Sequence, residues 1–204
     1  MYKRQEQTRA SALLRLSAAI AVAAGDSDAQ GWVEPIKDGT VWIRLAYPED
    51  AEAVAAMHGR CSERTLYLRY VSAGDWHEIQ MRRLSGGHSG ATLVAFGSEG
   101  TVIGLGNVFP ERPDDSVSAE IAVLVEDQYQ GHGVGTALLR RQLHVAERMG
   151  FTEVVAVVLA ENGGMRRMLE RTGLSWTTTI EDGSATMRAN LHDSDPLARL
   201  GAHG

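Results

Sequence analysis

Two sets of residues in this 204-residue chain have the types and spacing to do chemistry. The first is Gly131, Gly133 and Gly135, which follow an apolar strand-like run and open a helix-like one. Glycines let the backbone come close to a ligand, and the unpaired amides of a helix start, at the positive end of the helix dipole, suit a pyrophosphate. The second is Glu120, at the head of the apolar run that ends in Val123, Leu124 and Val125. That run shields the carboxylate partly from water, which makes it a candidate for proton transfer. A phosphate-bearing cofactor beside a general base is the chemistry these residues imply.

Spacing separates the possible phosphate sites. Gly135-Thr136 has no lysine before it, which disfavours a nucleoside-triphosphate loop. The glycines stand two residues apart, Gly131-x-Gly133-x-Gly135, not in the G-x-G-x-x-G pattern of a dinucleotide fold, and their strand follows an antiparallel meander; Glu161 is the one feature favouring that reading. The seven histidines show no metal-ligand spacing, and no serine sits in G-x-S-x-G, so metal-assisted or triad hydrolysis lacks support. With 20 Lys+Arg against 26 Asp+Glu, the net charge of -6 gives no footprint for nucleic acid. A single cysteine, Cys61, fits a reducing cytoplasm and reads as a small apolar residue near a helix.

The elements that must position these residues follow from periodicity. Residues 41–45 read as a strand, 48–57 and 63–70 as helices, 74–84 as a third helix before a glycine-rich loop at 85–90. Three strands are expected over 92–96, 101–108 and 116–125, forming the meander. Helical spacing returns after Gln130 and ends at Gly150; a Val-rich strand over 153–159, a short helix over 164–171 and a strand over 184–190 complete the pattern. The start superficially resembles a signal peptide, but its apolar stretch is short and Arg15 interrupts it. Residues 1–30 are therefore expected to be a helical extension and linker, 31–191 one domain, and 192–204 a loose tail.

Gln130-x-x-Gly133-x-Gly135, between a strand and a long helix, matches the Q/R-x-x-G-x-G/A signature, and the chain from about residue 38 to 191 resembles the GNAT N-acetyltransferases. The resemblance implies an α/β (α+β) GNAT fold, with a mixed, mostly antiparallel central sheet flanked by helices. It implies that the backbone amides of Gln130, Gly131, His132, Gly133, Val134, Gly135 and Thr136 cradle the pyrophosphate of acetyl-CoA. Val123, Leu124 and Val125 would pair with pantetheine as an added strand, Asn162 would join the cofactor site, and Glu120 would deprotonate the acceptor amine. His132 is expected to face solvent or a phosphate, and Glu126 and Asp127 to be solvated or helix-capping. Many GNAT members place a tyrosine acid after the asparagine; that position holds Leu169 here.

Asp38-Gly39-Thr40, Ile43-Arg44, Pro48-Glu49-Asp50, Asn162-x-x-Met165 and the segment Thr65 to Tyr70 are similar to the Pat-type members, which acetylate a lysine of acyl-CoA synthetases. In those relatives, the segment matching Leu66 to Tyr70 shapes the acceptor groove. The chain departs from them in its 85–90 loop. The expected partners are acetyl-CoA, an amine acceptor such as an acyl-CoA synthetase and a second copy in a homodimer, with no nucleic acid, membrane or metal. A small-amine acetyltransferase and a silent acyl-CoA-binding module are the alternatives.

Overall fold

Runs rich in β-branched and small apolar residues become strands, and the computed structural model, which describes residues 31–70, 90–112 and 117–193, joins eight of them in one sheet. They are β1 (Trp32–Ile36), β2 (Gly39–Leu45), β3 (Ala91–Phe96), β4 (Val102–Pro110), β5 (Ser118–Val125), β6 (Glu153–Leu159), β7 (Thr177–Glu181) and β8 (Ser184–Asn190). Their spatial order is β1-β2-β3-β4-β5-β6-β8-β7. Every neighbouring pair is antiparallel except β5 and β6, which are parallel because a helix crosses over between them. The expected mixed, mostly antiparallel sheet is the observed one.

Among the described residues four helices cover it: α1 (Ala51–Arg60), α2 (Glu63–Arg69), α3 (Val134–Arg148) and α4 (Gly163–Glu170). On α3, Val134, Ala137, Leu138, Val145 and Ala146 recur at helical spacing and are all buried against Ile103, Ile121, Val125 and Val154 on one sheet face. The valine and leucine side chains each contribute roughly 1.5–3 kcal/mol by leaving water, the alanines less. Two glycines of β4 let α3 sit close: a β-carbon on Gly104 would lie 2.9 Å from Leu138, and one on Gly106 2.9 Å from Gln142. Through that second opening Gln142 Nε2 donates to the carbonyls of Asn107 and Ala122. On the opposite face Val54 and Met57 of α1 pack on Val94, Leu105 and Leu124. Buried Glu34 accepts from Arg140 and Arg141, fastening β1 to α3.

Two strands were not expected. β1 carries Pro35, which lacks a donor and fits only an edge, and β7 is exposed along its whole length, so no apolar alternation marks it. The first helix begins as a 3-10 turn at Pro48–Asp50 and continues as α1 to Arg60. The readings at 1–30, 74–84 and 85–89 lie outside the described residues, as does most of the 192–204 tail. Among the described residues, no helix is long and apolar enough to cross a membrane.

Candidate active site

β5 and β6 pair only at Ser118 with Glu153, Ala119 with Val154 and Glu120 with Val155. β5 nevertheless stays joined to β4 as far as Val125, and β6 to β8 as far as Leu159. The two strands therefore part just after Glu120, and a cavity of about 480 Å³ opens between them, a size that suits an organic ligand. Val123, Leu124 and Val125 line one wall, Val157 and Val158 the other. Glu126 N donates to Ile103 O on the β4 side, so by strand alternation the amides of Val123 and Val125 turn towards the gap. An extended ligand placed there meets an unpaired strand edge.

The glycine loop closes the far end. Gly131 has φ +76° and Gly133 φ +98°, values that L side chains avoid, and Gly133 is the N-cap of α3. A β-carbon on Gly131 would meet nothing within 4 Å, so that face of the loop is open; on Gly135 it would come within 3.1 Å of Met168 Sδ, so the third glycine lets α4 pack on α3. Val134, Gly135 and Thr136 occupy the first turn of α3, where the amides have no intrahelical carbonyl. Exposed Arg167 and Arg171 stand one helical turn apart on the same cavity wall, without an ion pair among the described residues. Open amides, positive dipole and two free guanidinium groups fit a polyphosphate.

Glu120 is half-buried where the strands rejoin, one step beyond Ile121 and Ala122 of the cavity lining. It shares a sheet face with Ala122 and Leu124, the face from which Leu68 and Arg69 of α2 close the cavity, and its carboxylate makes no hydrogen bond among the described residues. Beside it on that face Arg188 of β8 reaches both Glu153 and Glu111, and Ser118 Oγ donates to Glu153 Oε1 at 2.7 Å. The α2 side is tied to the turn before the glycine loop. Asp127 accepts from Ser62 N, Ser62 Oγ and Thr65 Oγ1 at 2.8, 2.6 and 2.8 Å. Although desolvation pulls the other way, these bonds hold the Asp127 carboxyl below the usual carboxylate value.

Several expectations change here. Glu126 is not solvated: it is buried, held by Arg60 Nε at 2.9 Å and by Gln128 Nε2. Asp127 does serve a helix start, but by holding Ser62, the N-cap of α2, some sixty residues earlier in the chain, and not the helix that follows. The His132 ring does not line the cavity; it pairs with Asp38 at 2.6 Å, while Lys37 N donates to His132 O, so the β1-β2 hairpin braces the loop from behind. Val134 is a core residue and offers only its amide. Asn162 lines the cavity and caps α4, its Oδ1 accepting from Met165 N at 3.1 Å. Leu169 is fully buried, so no acid projects from that position. Cys61 sits at the C-cap of α1 as a thiol pushed up to about 11 by burial and then by Asp127 and Glu126. Sequence reasoning missed Thr65, Arg167 and Arg171; the i, i+4 arginine pair on a helix after Asn162 was the available signal.

The profile of the family described as the acetyltransferase (GNAT) family matches residues 51–174. Among curated proteins, the chain is 29% identical over 140 residues to the acetyltransferase Pat of Mycolicibacterium smegmatis, covering 66% of this chain and 41% of that longer protein. It is 28% identical over 164 residues to a Bacillus subtilis protein provisionally named a phosphinothricin acetyltransferase, covering 77% and 97%. Among solved structures, the GNAT domain of Streptomyces lividans PAT superposes with a TM-score of 0.69 at 24% identity, over 78% of this chain and 96% of that one.

Proposed function

The chain belongs to the GNAT acetyltransferase family, which uses acetyl-CoA to acetylate amines, and from that premise we propose that its acceptor is a protein lysine, such as that of an acyl-CoA synthetase. The observation that carries the donor half is the parting of β5 from β6 directly before an open glycine loop at a helix start. The Pat-like segments of the sequence and the likeness to Pat support the acceptor half.

Bound acetyl-CoA supplies an activated thioester carbonyl. The amides from Gln130 to Thr136, with Arg167 and Arg171, take its phosphates. The gap-facing amides of Val123 and Val125 pair with the pantetheine arm as a neighbouring strand would, and one of them donates to the carbonyl oxygen as negative charge gathers there. Glu120 accepts the proton that the ammonium must lose before nitrogen can attack. Asn162 fixes the start of α4 under the loop. Leu169 supplies no proton to the departing thiolate, and a thiol of ordinary acidity leaves without one near neutral pH.

A small-amine acceptor is the second reading, favoured by the relative named for phosphinothricin. The test is CoA release by wild type and Glu120→Gln over a panel of acyl-CoA synthetase proteins, polyamines, aminoglycosides and phosphinothricin. Turnover on a synthetase lysine, lost in the variant while acetyl-CoA still binds, is the expected result. Turnover on small amines alone replaces the acceptor, full activity in the variant removes Glu120 as base, and CoA binding without turnover on any amine favours a binding module.

A further inference from the structure

α2 is seven residues long and buries none of them fully; Leu66 is its partly buried contact with the smaller apolar cluster. A helix this short is not stable by itself in water, so its order comes from what it is tied to. Those ties run to the turn that leads into the glycine loop. Ser62, its N-cap, bonds Asp127 twice, and Thr65 sits between the two sides of the site: its Oγ1 donates to Asp127 Oδ1 and accepts from Gln130 Nε2 at 3.0 Å. Gln130 Nε2 also donates to Val125 O at 3.0 Å, on the strand edge facing the gap. Thr65, Leu68 and Arg69 line the cavity from α2, on the sheet face that carries Ala122 and Leu124 of β5.

We propose that Thr65 is a positioning residue that passes occupancy of the glycine loop to α2, so that the acceptor side of the site is set in place by the donor. The inference rests on the loop being the donor site. Two elements that share hydrogen bonds and differ in intrinsic stability are coupled: a ligand that steadies Gln130 steadies the Thr65 hydroxyl and, through it, the helix. By linkage, an acceptor that engages α2 tightens donor binding by the same factor.

Amide hydrogen exchange of the full chain, with and without saturating coenzyme A, tests this in the absence of any acceptor. In the wild type, coenzyme A is expected to slow exchange at 134–136 and, by about tenfold, at 62–69. In Thr65→Val, which keeps the shape and loses both bonds, the slowing at 62–69 falls below about twofold while that at 134–136 persists; Thr65→Ser keeps both. Should Thr65→Val fray α2 outright, Gln130→Ala, which spares the bonds from Ser62 and Thr65 to Asp127, is expected to lose the slowing at 62–69 while that at 134–136 persists. Slowing at 134–136 without slowing at 62–69 in the wild type, or undiminished slowing at 62–69 in both variants, overturns the role of Thr65 and leaves the donor site standing. No slowing at 134–136 in any protein overturns the donor-site reading and this inference with it.

Discussion

Glu120 stands between two regions built in opposite ways. On one side, the stretch from Val123 to Thr136 presents strand edge, helix-start amides and glycines, so its ligand-facing surface is mostly main chain. On the other side, α2 and the row of Ser118, Glu153, Glu111 and Arg188 are joined by side chains drawn from distant parts of the sequence. A main-chain surface keeps its chemistry under most substitutions and is damaged by added bulk or altered φ. A side-chain surface can be re-specified residue by residue.

The largest expected effect comes at the boundary of the two. Glu120→Gln should lower kcat by about 10²–10⁴-fold with acetyl-CoA affinity, read by calorimetry, within twofold, because a base acts on the acceptor and not on the donor. Weakened acetyl-CoA binding of the same size as the kcat loss would erase the distinction between the halves. Next, Leu138→Ala, under the β4 glycines, should cost about 2–5 kcal/mol in urea unfolding, since the donor loop rests on the α3 core. A smaller loss would mean that the loop is held chiefly by the β1-β2 hairpin.

Gly133→Ala places a side chain at φ +98°, a strain of roughly 1–2 kcal/mol, and should weaken acetyl-CoA about tenfold while the acceptor KM stays level. An equal rise in acceptor KM with acetyl-CoA saturating would show that Gly133 shapes the acceptor side directly and not only through donor occupancy. The smallest effect concerns Asp127. Its folded pKa is depressed, so its contribution to holding α2 is present above the ordinary carboxylate range and is lost as pH falls through the folded value. Protection at 62–69, taken relative to the intrinsic exchange rate at each pH, should fall as pH drops below the ordinary carboxylate range in the wild type, with no such step in Asp127→Asn. A step that survives the substitution assigns the titration to another carboxylate.

Legibility in the sequence divides along the same line. The β5-loop-α3 unit was readable because its signals are local: an apolar run, glycines where φ must be positive, then a 3.6-residue period. Glu126 was misread because its partner, Arg60, comes 66 residues earlier in the chain, and nothing near it announces burial. His132 does face solvent, as expected, but its partner Asp38 on the far hairpin had no local signal. β1 and β7 escaped because one is interrupted by proline and the other lacks a buried face, and an edge strand forms on a template that periodicity cannot see.

The sequence alone determined the order of strand, loop and helix, the sheet class and the kind of ligand the loop favours, since each follows from neighbours in the chain. Only the tertiary structure decided that β5 and β6 part after Glu120, that Asp127 holds the N-cap residue of a helix far upstream and that Arg188 shares a sheet face with Glu120. Those features arise from strand register and from side chains meeting across the sheet, where distance in space has no counterpart in distance along the chain.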